Sequence, residues 1–219
     1  MSKNNADQLR ARLRSLRQSM SVAERQHASV ALCARLQQWF DQHLADLAAA
    51  RRSSPLIVAG FWPLDFEPDL RPLLAQLDLH QVTVCLPVIV ERHAALEFHR
   101  WTPDTPLTAQ AFGVMEPPRQ QALVPEILLV PTLGFTAQAA RLGYGGGYYD
   151  RSLAALQRAG LRPLKVGIAW QHGLLTEADG FAPQPHDVRL DAIATPEAWL
   201  KLEIDKWAPL LKAANQYTD

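Results

Sequence analysis

Hydrophobic periodicity divides the chain into a helical N-terminal part and a longer part in which strands and helices alternate. In the N-terminal part, three leucines recur at the spacing of one helix face, and three arginines form a parallel basic stripe one position along. The leucines are Leu9, Leu13 and Leu16, and the arginines are Arg10, Arg14 and Arg17. Ser21 and Glu24 form a capping-box pattern ahead of a second apolar series at helical spacing. Two helices are therefore predicted before any strand.

From residue 55 onward, short β-rich runs alternate with helical segments. Strands are predicted at 56–62, 82–86, 96–101, 127–131, 164–170 and 192–195. Helices are predicted at 68–79, at 148–159 with Gly160 as its C-terminal cap, and from Pro196 towards Leu211. The proline-rich residues 102–125 are predicted to form a surface loop.

This alternation predicts an α/β fold, with three α/β/α layers and a mainly parallel sheet. We expect a single domain over residues 1–219, with N-terminal helices in 1–50 and an α/β core in 55–212. In such sheets, ligands gather at the carboxyl ends of the strands.

Composition narrows the class of protein further. With 48% hydrophobic and 20% charged residues, the 219-residue chain falls in the globular range, and its apolar runs are shorter than the roughly 18 residues of a membrane span. Lys and Arg total 22, as do Asp and Glu, so the zero net charge argues against nucleic acid as a partner. Cys33 and Cys85 lack the spacing of a disulfide framework or a zinc site. Because the N-terminus lacks the apolar core of a signal peptide, we expect a cytoplasmic protein.

A cluster of glycines is the most informative feature of the sequence. Four of the 11 glycines fall within residues 143–147, inside the segment RLGYGGGYYD (141–150). Between a predicted strand and a predicted helix, such a loop offers backbone N–H groups that can converge on a phosphate, reinforced by the helix N-terminus. It matches neither GxxxxGK[ST] nor GxGxxG, so Arg141 is expected to take the role of the Walker lysine. A flexible turn is the alternative, disfavoured by the flanking arginine, tyrosines and aspartate.

Three carboxylates are candidates for chemistry, and each also has a structural explanation. Asp150, early in a predicted helix, either complements the helix dipole or holds Mg²⁺ beside a polyphosphate. Asp187 lies in a proline-rich segment that is also typical of a surface turn. Glu67 follows the first predicted core strand, where it is either a helix cap or a site residue.

The glycine segment also carries a family resemblance. PTLGF (131–135) leading into RLGYGGGYYDR (141–151) resembles the signature of the 5-formyltetrahydrofolate cyclo-ligases, also called 5,10-methenyltetrahydrofolate synthetases. Further similar segments, in the same order, lie at 20–25, 61–74, 84–90, 96–101, 112–117 and 183–195. The glycine motif is highly specific, and the other segments support it by order and spacing.

The resemblance implies a fold and a reaction. The fold would be related to the sugar-phosphate isomerase and CoA-transferase layout. The reaction would be the cyclisation of 5-formyltetrahydrofolate to 5,10-methenyltetrahydrofolate, with Mg²⁺ as cofactor and ATP as co-substrate, releasing ADP and phosphate. The partners would be these small molecules, not nucleic acid or a membrane, and the protein would be a monomer or weak dimer.

The resemblance also implies roles for individual residues. ATP would contact Arg10, Arg141, Leu142, Gly143, Tyr144, Gly145, Gly146, Gly147, Tyr148 and Tyr149. Asp150 and Asp187 would hold the metal. The folate would contact Trp62, Glu67, Phe112 and Tyr148, and the catalytic candidates are Arg141 and Tyr148. For Arg14 and Arg17, a solvated helix face is at least as good an explanation as a contact.

The chain departs from the family pattern at a few positions. The family commonly has glycine where this chain has Phe66 and Ala139, and aspartate where it has Thr136. Some members have arginine or lysine where this chain has Tyr144 and Gly146. These departures leave the phosphate contacts intact and bear on loop geometry and on the fit of the folate.

Two other functions remain open at this point. One is a reduced-folate-binding paralogue without catalysis. The other is an isomerase or acyl-CoA transferase on a similar scaffold, which needs a catalytic glutamate or lysine at the strand ends. The chain has no lysine between Lys3 and Lys165, which weighs against the lysine-dependent form.

Overall fold

A seven-stranded sheet with helices on both faces dominates the computed structural model, which describes residues 3–49, 55–110, 113–184 and 187–200. The helices are α1 (Lys3–Ser19), α2 (Val22–Ala49), α3 (Arg71–Leu79) and α4 (Tyr148–Arg158). The first six strands are β1 (Ile57–Ala59), β2 (Thr83–Val88), β3 (Glu97–Arg100), β4 (Thr108–Ala109), β5 (Met115–Glu116) and β6 (Ile127–Pro131). The others are β7 (Gly134–Phe135), β8 (Arg141–Leu142), β9 (Leu164–Ile168), β10 (Ala192–Ala194) and β11 (Trp199–Leu200).

The sheet is mainly parallel, as predicted. Its strand order is β11-β10-β9-β6-β1-β2-β3, and the five inner strands pair in parallel. The edge strands β3 and β11 are antiparallel to their neighbours. Two short antiparallel ladders, β4–β5 and β7–β8, lie outside this sheet.

Helices cover both faces of the sheet, which confirms the three-layer prediction. Because successive side chains of a strand point to opposite faces, Val58 and Ala59 of β1 belong to different cores. Val58 packs in the same cluster as Leu36 of α2 and Leu74 of α3, whereas Ala59 shares its cluster with Leu153 of α4. Within the described ranges, no helix is both long and apolar enough to cross a bilayer.

The direction of winding reverses between β1 and β6. From β1 the chain moves to β2 on one side of it, and later returns to place β6 on its other side. The loops that follow β1 and β6 therefore leave the carboxyl edge of the sheet at neighbouring positions. A crevice at such a switch point is where open α/β sheets bind their ligands.

Helix α1 packs against the segment that follows β6. Leu9 and Leu13 of α1 are buried in a cluster with Leu133, Leu142 and Leu175. Leu133 directly precedes β7, and Leu142 is the last residue of β8, so both belong to the short ladder region that leads into the glycine loop. The N-terminal helix is therefore part of the wall around the switch point.

The predicted helix starts and stops are largely confirmed. Ser21 N–H donates to Glu24 Oε2 (2.6 Å), and Glu24 N–H donates to Ser21 Oγ (3.2 Å), which closes the predicted capping box of α2. Gly160 follows α4 with a φ of 78°, a conformation typical of glycine at a helix end.

The segment after β10 differs from the prediction. The helix expected from Pro196 is wrong over residues 196–200, where a turn leads into β11; residues 201–211 lie outside the described residues. Thr195 closes the turn, because its N–H donates to Ala198 O (3.0 Å) and its hydroxyl accepts from Ala198 N–H (3.0 Å). Side-chain hydrogen bonds of this kind compete with helix formation, and the free edge of β10 offers β11 a partner.

Two smaller differences from the prediction concern the extent of β1 and the proline-rich loop. The strand predicted at 56–62 is shorter, and residues 60–62 belong to the loop that follows β1. The proline-rich stretch 102–125 carries the β4–β5 ladder within its predicted loop.

We expect the burial of Leu13 to decide how firmly α1 is held. Leu13 is fully buried, so Leu13→Ala should lower the free energy of unfolding by about 3 kcal/mol through lost burial and a residual cavity. Leu16 on the same helix is 41% exposed, so Leu16→Ala should cost less than about 0.5 kcal/mol. Denaturant unfolding of both variants measures the difference, and equal losses would contradict the packing described here.

Candidate active site

A cavity of about 670 Å³ opens at the switch point. Its wall is formed by α1, the loop after β1, the end of β2 with the residues that lead to β3, the segment from β8 into α4, and the loop before β10. The sequence-predicted site residues that line it are Arg10, Trp62, Glu67, Asp187 and every residue from 141 to 150. Phe112 lies outside the described residues. The structure thus brings together all the described candidates, from four separate parts of the chain.

The glycine loop takes backbone conformations that favour glycine. Gly145 has a φ of 98°, and Gly147, the N-terminal cap of α4, has a φ of 67°. Residues with a Cβ rarely adopt these angles. The glycine density seen in the sequence therefore has a geometric cause at two positions.

Three arginines bind the carbonyl oxygens of this loop. The bonds run from Arg10 Nε to Gly143 O (3.0 Å), from Arg14 Nη2 to Tyr144 O (3.2 Å) and from Arg151 Nη2 to Gly146 O (2.9 Å). Arg10 and Arg14 reach the loop from α1, whereas Arg151 belongs to α4. Three of the loop's peptide planes are therefore held by side chains of two different helices.

The N–H groups of the same peptide units point away from these arginines. In a trans peptide the C=O and N–H groups are directed oppositely, so the N–H groups of Tyr144, Gly145 and Gly147 face away from Arg10, Arg14 and Arg151 respectively. In the part of the chain that the structure describes, none of the three donates to a protein acceptor. Unpaired N–H groups in succession, next to a helix N-terminus, form a site suited to an anion.

Arg141 lies mostly beneath the loop. Its Nη2 donates to Asp150 Oδ1 (2.6 Å), and a Cβ on Gly143 would stand only 2.5 Å from its Nη1. Its Nε is buried and has no partner among the described residues. Arg141 therefore supports the loop and orients Asp150, in addition to bordering the cavity.

Asp150 and Asp187 supply carboxylates to the same cavity. Asp187 Oδ2 accepts from the Gln184 N–H (2.7 Å) and Asp150 from Arg141. No group of three or more His, Cys, Asp or Glu side chains that could hold a metal occurs within the described residues. Two carboxylates nevertheless fit Mg²⁺, which takes one or two from a protein and completes its shell with water and phosphate oxygens.

Glu67 is a buried carboxyl group on the other side of the cavity. It is 8% exposed, and its Oε2 accepts from the Leu64 N–H (2.9 Å). Burial raises the pKa of Glu67 above its ordinary value, while hydrogen bonds from Tyr144 and Leu64 and the charge of Arg17 act in the opposite direction. The site thus holds a carboxyl group whose ionisation depends on its neighbours.

Arg17 corrects one of the sequence expectations. It is buried, at 3% exposure, and donates to Thr132 O (2.6 Å) and to the Tyr144 hydroxyl. The solvated face expected for Arg17 is therefore wrong, whereas Arg14 is exposed and borders the cavity. A signal was present in the sequence, because Leu9, Leu13 and Arg17 are spaced by four residues and continue the same buried stripe.

Aromatic rings complete the wall. The Arg151 guanidinium lies 5.0 Å from the Tyr148 ring centre, and Trp62 packs 6.1 Å from Trp101 and 5.4 Å from the Arg71 guanidinium. Such faces suit a flat heterocycle. The Tyr149 hydroxyl is buried without a partner among the described residues, and burial together with the nearby Glu67 raises its pKa.

Two of the departures from the family pattern coincide with unusual backbone. Phe66 has a φ of 66° and Ala139 a φ of 58°, the left-handed region in which glycine is favoured. The chain therefore keeps at both positions the conformation that a glycine would adopt. Thr136 closes the turn before β8, since its carbonyl accepts from Ala139 N–H (2.9 Å) and its Oγ1 from Ala140 N–H (3.3 Å).

Comparison with known proteins supports the likeness over nearly the whole chain. The sequence model of the 5-formyltetrahydrofolate cyclo-ligase family matches residues 2–196. The 5-formyltetrahydrofolate cyclo-ligase of Haemophilus influenzae is 30% identical over 178 residues, or 78% of this chain and 88% of that protein. The same-named protein of Mycolicibacterium smegmatis is 30% identical over 206 residues, or 90% of this chain and 96% of that protein.

A solved structure agrees with these matches. The structure of 5,10-methenyltetrahydrofolate synthetase from Aquifex aeolicus superposes with a TM-score of 0.70 at 25% identity, covering 90% of this chain and 93% of that one. With the family model spanning β1 to β10, the glycine loop and Glu67, the chain belongs to the 5-formyltetrahydrofolate cyclo-ligase family.

Proposed function

We propose that the chain catalyses the ATP-dependent cyclisation of 5-formyltetrahydrofolate to 5,10-methenyltetrahydrofolate, with release of ADP and phosphate. The observation that carries the proposal is a single cavity bordered by the glycine loop, with its unpaired N–H groups, and by the buried carboxyl group of Glu67 between aromatic walls. Family membership supports the reaction, and the cavity would hold both substrates.

The chemistry of the formyl group explains why two sites must meet. An N-formyl group is an amide, so its carbon is a weak electrophile and its oxygen a poor leaving group. Transfer of the γ-phosphoryl group of ATP to the formyl oxygen makes the carbon a stronger electrophile and the oxygen a better leaving group. The neighbouring folate amine then attacks the formyl carbon and loses its proton, and the C–O bond breaks to release phosphate. Most of the catalysis is therefore positioning and charge neutralisation.

The glycine loop would bind the phosphates of ATP. The N–H groups of Tyr144, Gly145 and Gly147 are available as donors, and Arg10 and Arg14 place positive charge at the rim of the cavity. Charge-assisted bonds to phosphate oxygens are among the stronger hydrogen bonds in proteins. Arg141, beneath the loop, would act through its remaining donors.

Asp150 and Asp187 would hold Mg²⁺, which when bound neutralises negative charge on the phosphates. The protein's part is to orient the two carboxylates. Arg141 fixes Asp150 by a 2.6 Å bond, and the Gln184 N–H fixes Asp187 by a 2.7 Å bond.

The opposite wall would bind the folate. A pterin ring presents N–H donors along one edge and a flat face, which match the Glu67 carboxyl group and the rings of Trp62 and Tyr148. Tyr148 begins α4 directly after the glycine loop, so it would lie between the two substrates. Phe112 remains a proposed folate contact. We also retain as proposals the cytoplasmic location, the monomeric or weakly dimeric state and the single-domain organisation.

A direct assay tests the proposed function. Purified protein with ATP, Mg²⁺ and 5-formyltetrahydrofolate should develop the near-ultraviolet absorbance of the methenyl product and form one ADP for each product molecule. Omitting ATP should abolish the signal. A folded sample that binds the folate in a calorimeter without consuming ATP would instead identify a non-catalytic reduced-folate-binding protein.

Replacement of Asp150 tests the metal assignment. Asp150→Asn should lower the turnover rate at least about tenfold and raise the Mg²⁺ concentration needed for half-maximal rate, because a neutral amide is a weaker ligand. Asp41→Asn is the control, since Asp41 is exposed on α2 and binds Gln37. An unchanged Mg²⁺ dependence in Asp150→Asn would remove Asp150 from the metal site.

Replacement of Glu67 tests how much the ionisation of this buried carboxyl group lowers the free energy of unfolding. The pKa of Glu67 is raised in the folded protein, so wild-type stability should fall as pH rises from the ordinary value of 4.5 through the folded value. Glu67→Gln has no such ionisation and should exceed the wild type by about 1 kcal/mol at high pH, while binding the folate more weakly. Thermal unfolding across pH measures this gap, which should close at acidic pH. A stability difference that does not change with pH would mean that it does not arise from the ionisation of Glu67.

A further inference from the structure

Tyr144 belongs to both halves of the cavity. Its main chain lies in the glycine loop, where its carbonyl accepts from Arg14 and its N–H has no partner among the described residues. Its ring packs against the cluster that holds α1 to the end of the sheet. Its hydroxyl accepts from Arg17 beside the cavity that Glu67 also borders, and its proximity to the Glu67 carboxyl group acts to lower the pKa of that group.

The direction of the hydrogen bonds at this hydroxyl is fixed by chemistry. A guanidinium has only donors, so the Tyr144 oxygen must accept from Arg17 Nη1. A phenol has one proton, and that proton is then free for Glu67. Donors are therefore directed from Arg17 to Tyr144, and the phenol proton of Tyr144 is left to point towards the Glu67 carboxyl group, an acceptor.

The Arg17 side chain is itself held firmly. Arg17 Nη2 donates to Thr132 O at 2.6 Å, directly after β6, and the side chain is almost fully buried. The guanidinium that meets Tyr144 is therefore anchored to the main chain. The Tyr144 hydroxyl is thus held in place, through Arg17, by a main-chain carbonyl at the carboxyl edge of the sheet.

Glu67 needs such support because its surroundings disfavour charge. Burial opposes its ionisation, and the groups that favour the carboxylate are the Leu64 N–H, the Tyr144 hydroxyl and the Arg17 charge. The charged and titratable side chains that face Glu67 are Arg17 from α1, Tyr144 from the loop and Tyr149 from α4, with Arg141 and Cys85 next to Tyr149. A protonated Glu67 would have fewer acceptor sites for the N–H donors of a pterin.

The geometry points to Tyr144 as a positioning residue for the folate: its hydroxyl, fixed by Arg17, orients the Glu67 carboxyl group towards the cavity that both residues border. The inference rests on the proposed function and assigns the Tyr144 side chain to the folate half, while its main chain remains in the phosphate half. The conformation of the glycine loop would therefore affect the orientation of Glu67, because Tyr144 contributes to both.

Tyr144→Phe removes the hydroxyl and keeps the ring. We expect KM for 5-formyltetrahydrofolate to rise about tenfold, as for loss of a hydrogen bond to a charged group, while KM for ATP and the saturated rate stay within about twofold. The acid limb of kcat/KM for the folate should move to higher pH, because Glu67 loses a neighbour that favours its ionised form.

Two further variants separate positioning from a general structural effect. In a Glu67→Gln background, Tyr144→Phe should not move the acid limb, since glutamine does not titrate. Arg17→Lys keeps the positive charge but loses the forked geometry, and should reproduce part of the rise in KM for the folate. Circular dichroism and thermal unfolding confirm that each variant is folded.

The outcomes are distinguishable. An active wild type whose Tyr144→Phe variant keeps its folate KM and acid limb overturns the inference, as does an equal rise in both KM values. An inactive wild type overturns the proposed function, and the inference is then decided by calorimetric affinity for 5-formyltetrahydrofolate across pH. Weaker binding by Tyr144→Phe, most marked at acidic pH, supports it, and equal binding or no binding by the wild type overturns it.

Discussion

The candidate site depends on arginine side chains that bind the carbonyl oxygens of the glycine loop. A run of glycines has many conformations in the absence of such bonds, and ordering it costs more entropy than ordering other residues. Here Arg10 and Arg14 reach the loop across more than a hundred residues of sequence, and Arg151 binds it from the following helix. The loop's N–H groups are therefore arranged before any ligand arrives, which reduces the entropy cost of binding.

This arrangement makes α1 part of the site. The helix is held by Leu9 and Leu13, whose cluster includes Leu142 immediately before the glycine loop. Burial of these two leucines fixes the position of α1, and with it the positions of Arg10 and Arg14. Parallel strands supply the rest, because the loops after β1 and β6 leave the same edge of the sheet and bring Glu67 close to Tyr144. The groups proposed to bind phosphate and folate meet there, although Glu67 lies more than 70 residues before the glycine loop in the chain.

Local sequence signals were sufficient for much of this structure. The β6 run ILLVP, the capping box at Ser21 and the end of α4 at Gly160 were predictable because neighbouring residues determine each of them. The burial of Arg17 was missed, since its partner Thr132 O is distant in sequence and a charged residue on a leucine stripe is normally assigned to solvent. Pro196 indicated a helix start, but the Thr195 hydroxyl and the open edge of β10 favour a turn and a strand. The errors lie where a tertiary partner outweighs a local preference.

Phe66 and Ala139 show how departures from a sequence pattern can leave a site's geometry intact. A left-handed conformation costs a residue with a Cβ about 1–2 kcal/mol, so each position needs contacts that impose it. Phe66 O accepts from Trp170 Nε1 (2.8 Å), and Ala139 O accepts from Leu190 N–H (3.1 Å). Phe66 directly precedes Glu67, and Ala139 stands two residues before Arg141, so the strain falls beside the groups that the proposed reaction needs. The requirement at these two positions is then a backbone conformation, which glycine meets without strain and which this chain meets at the expense of stability.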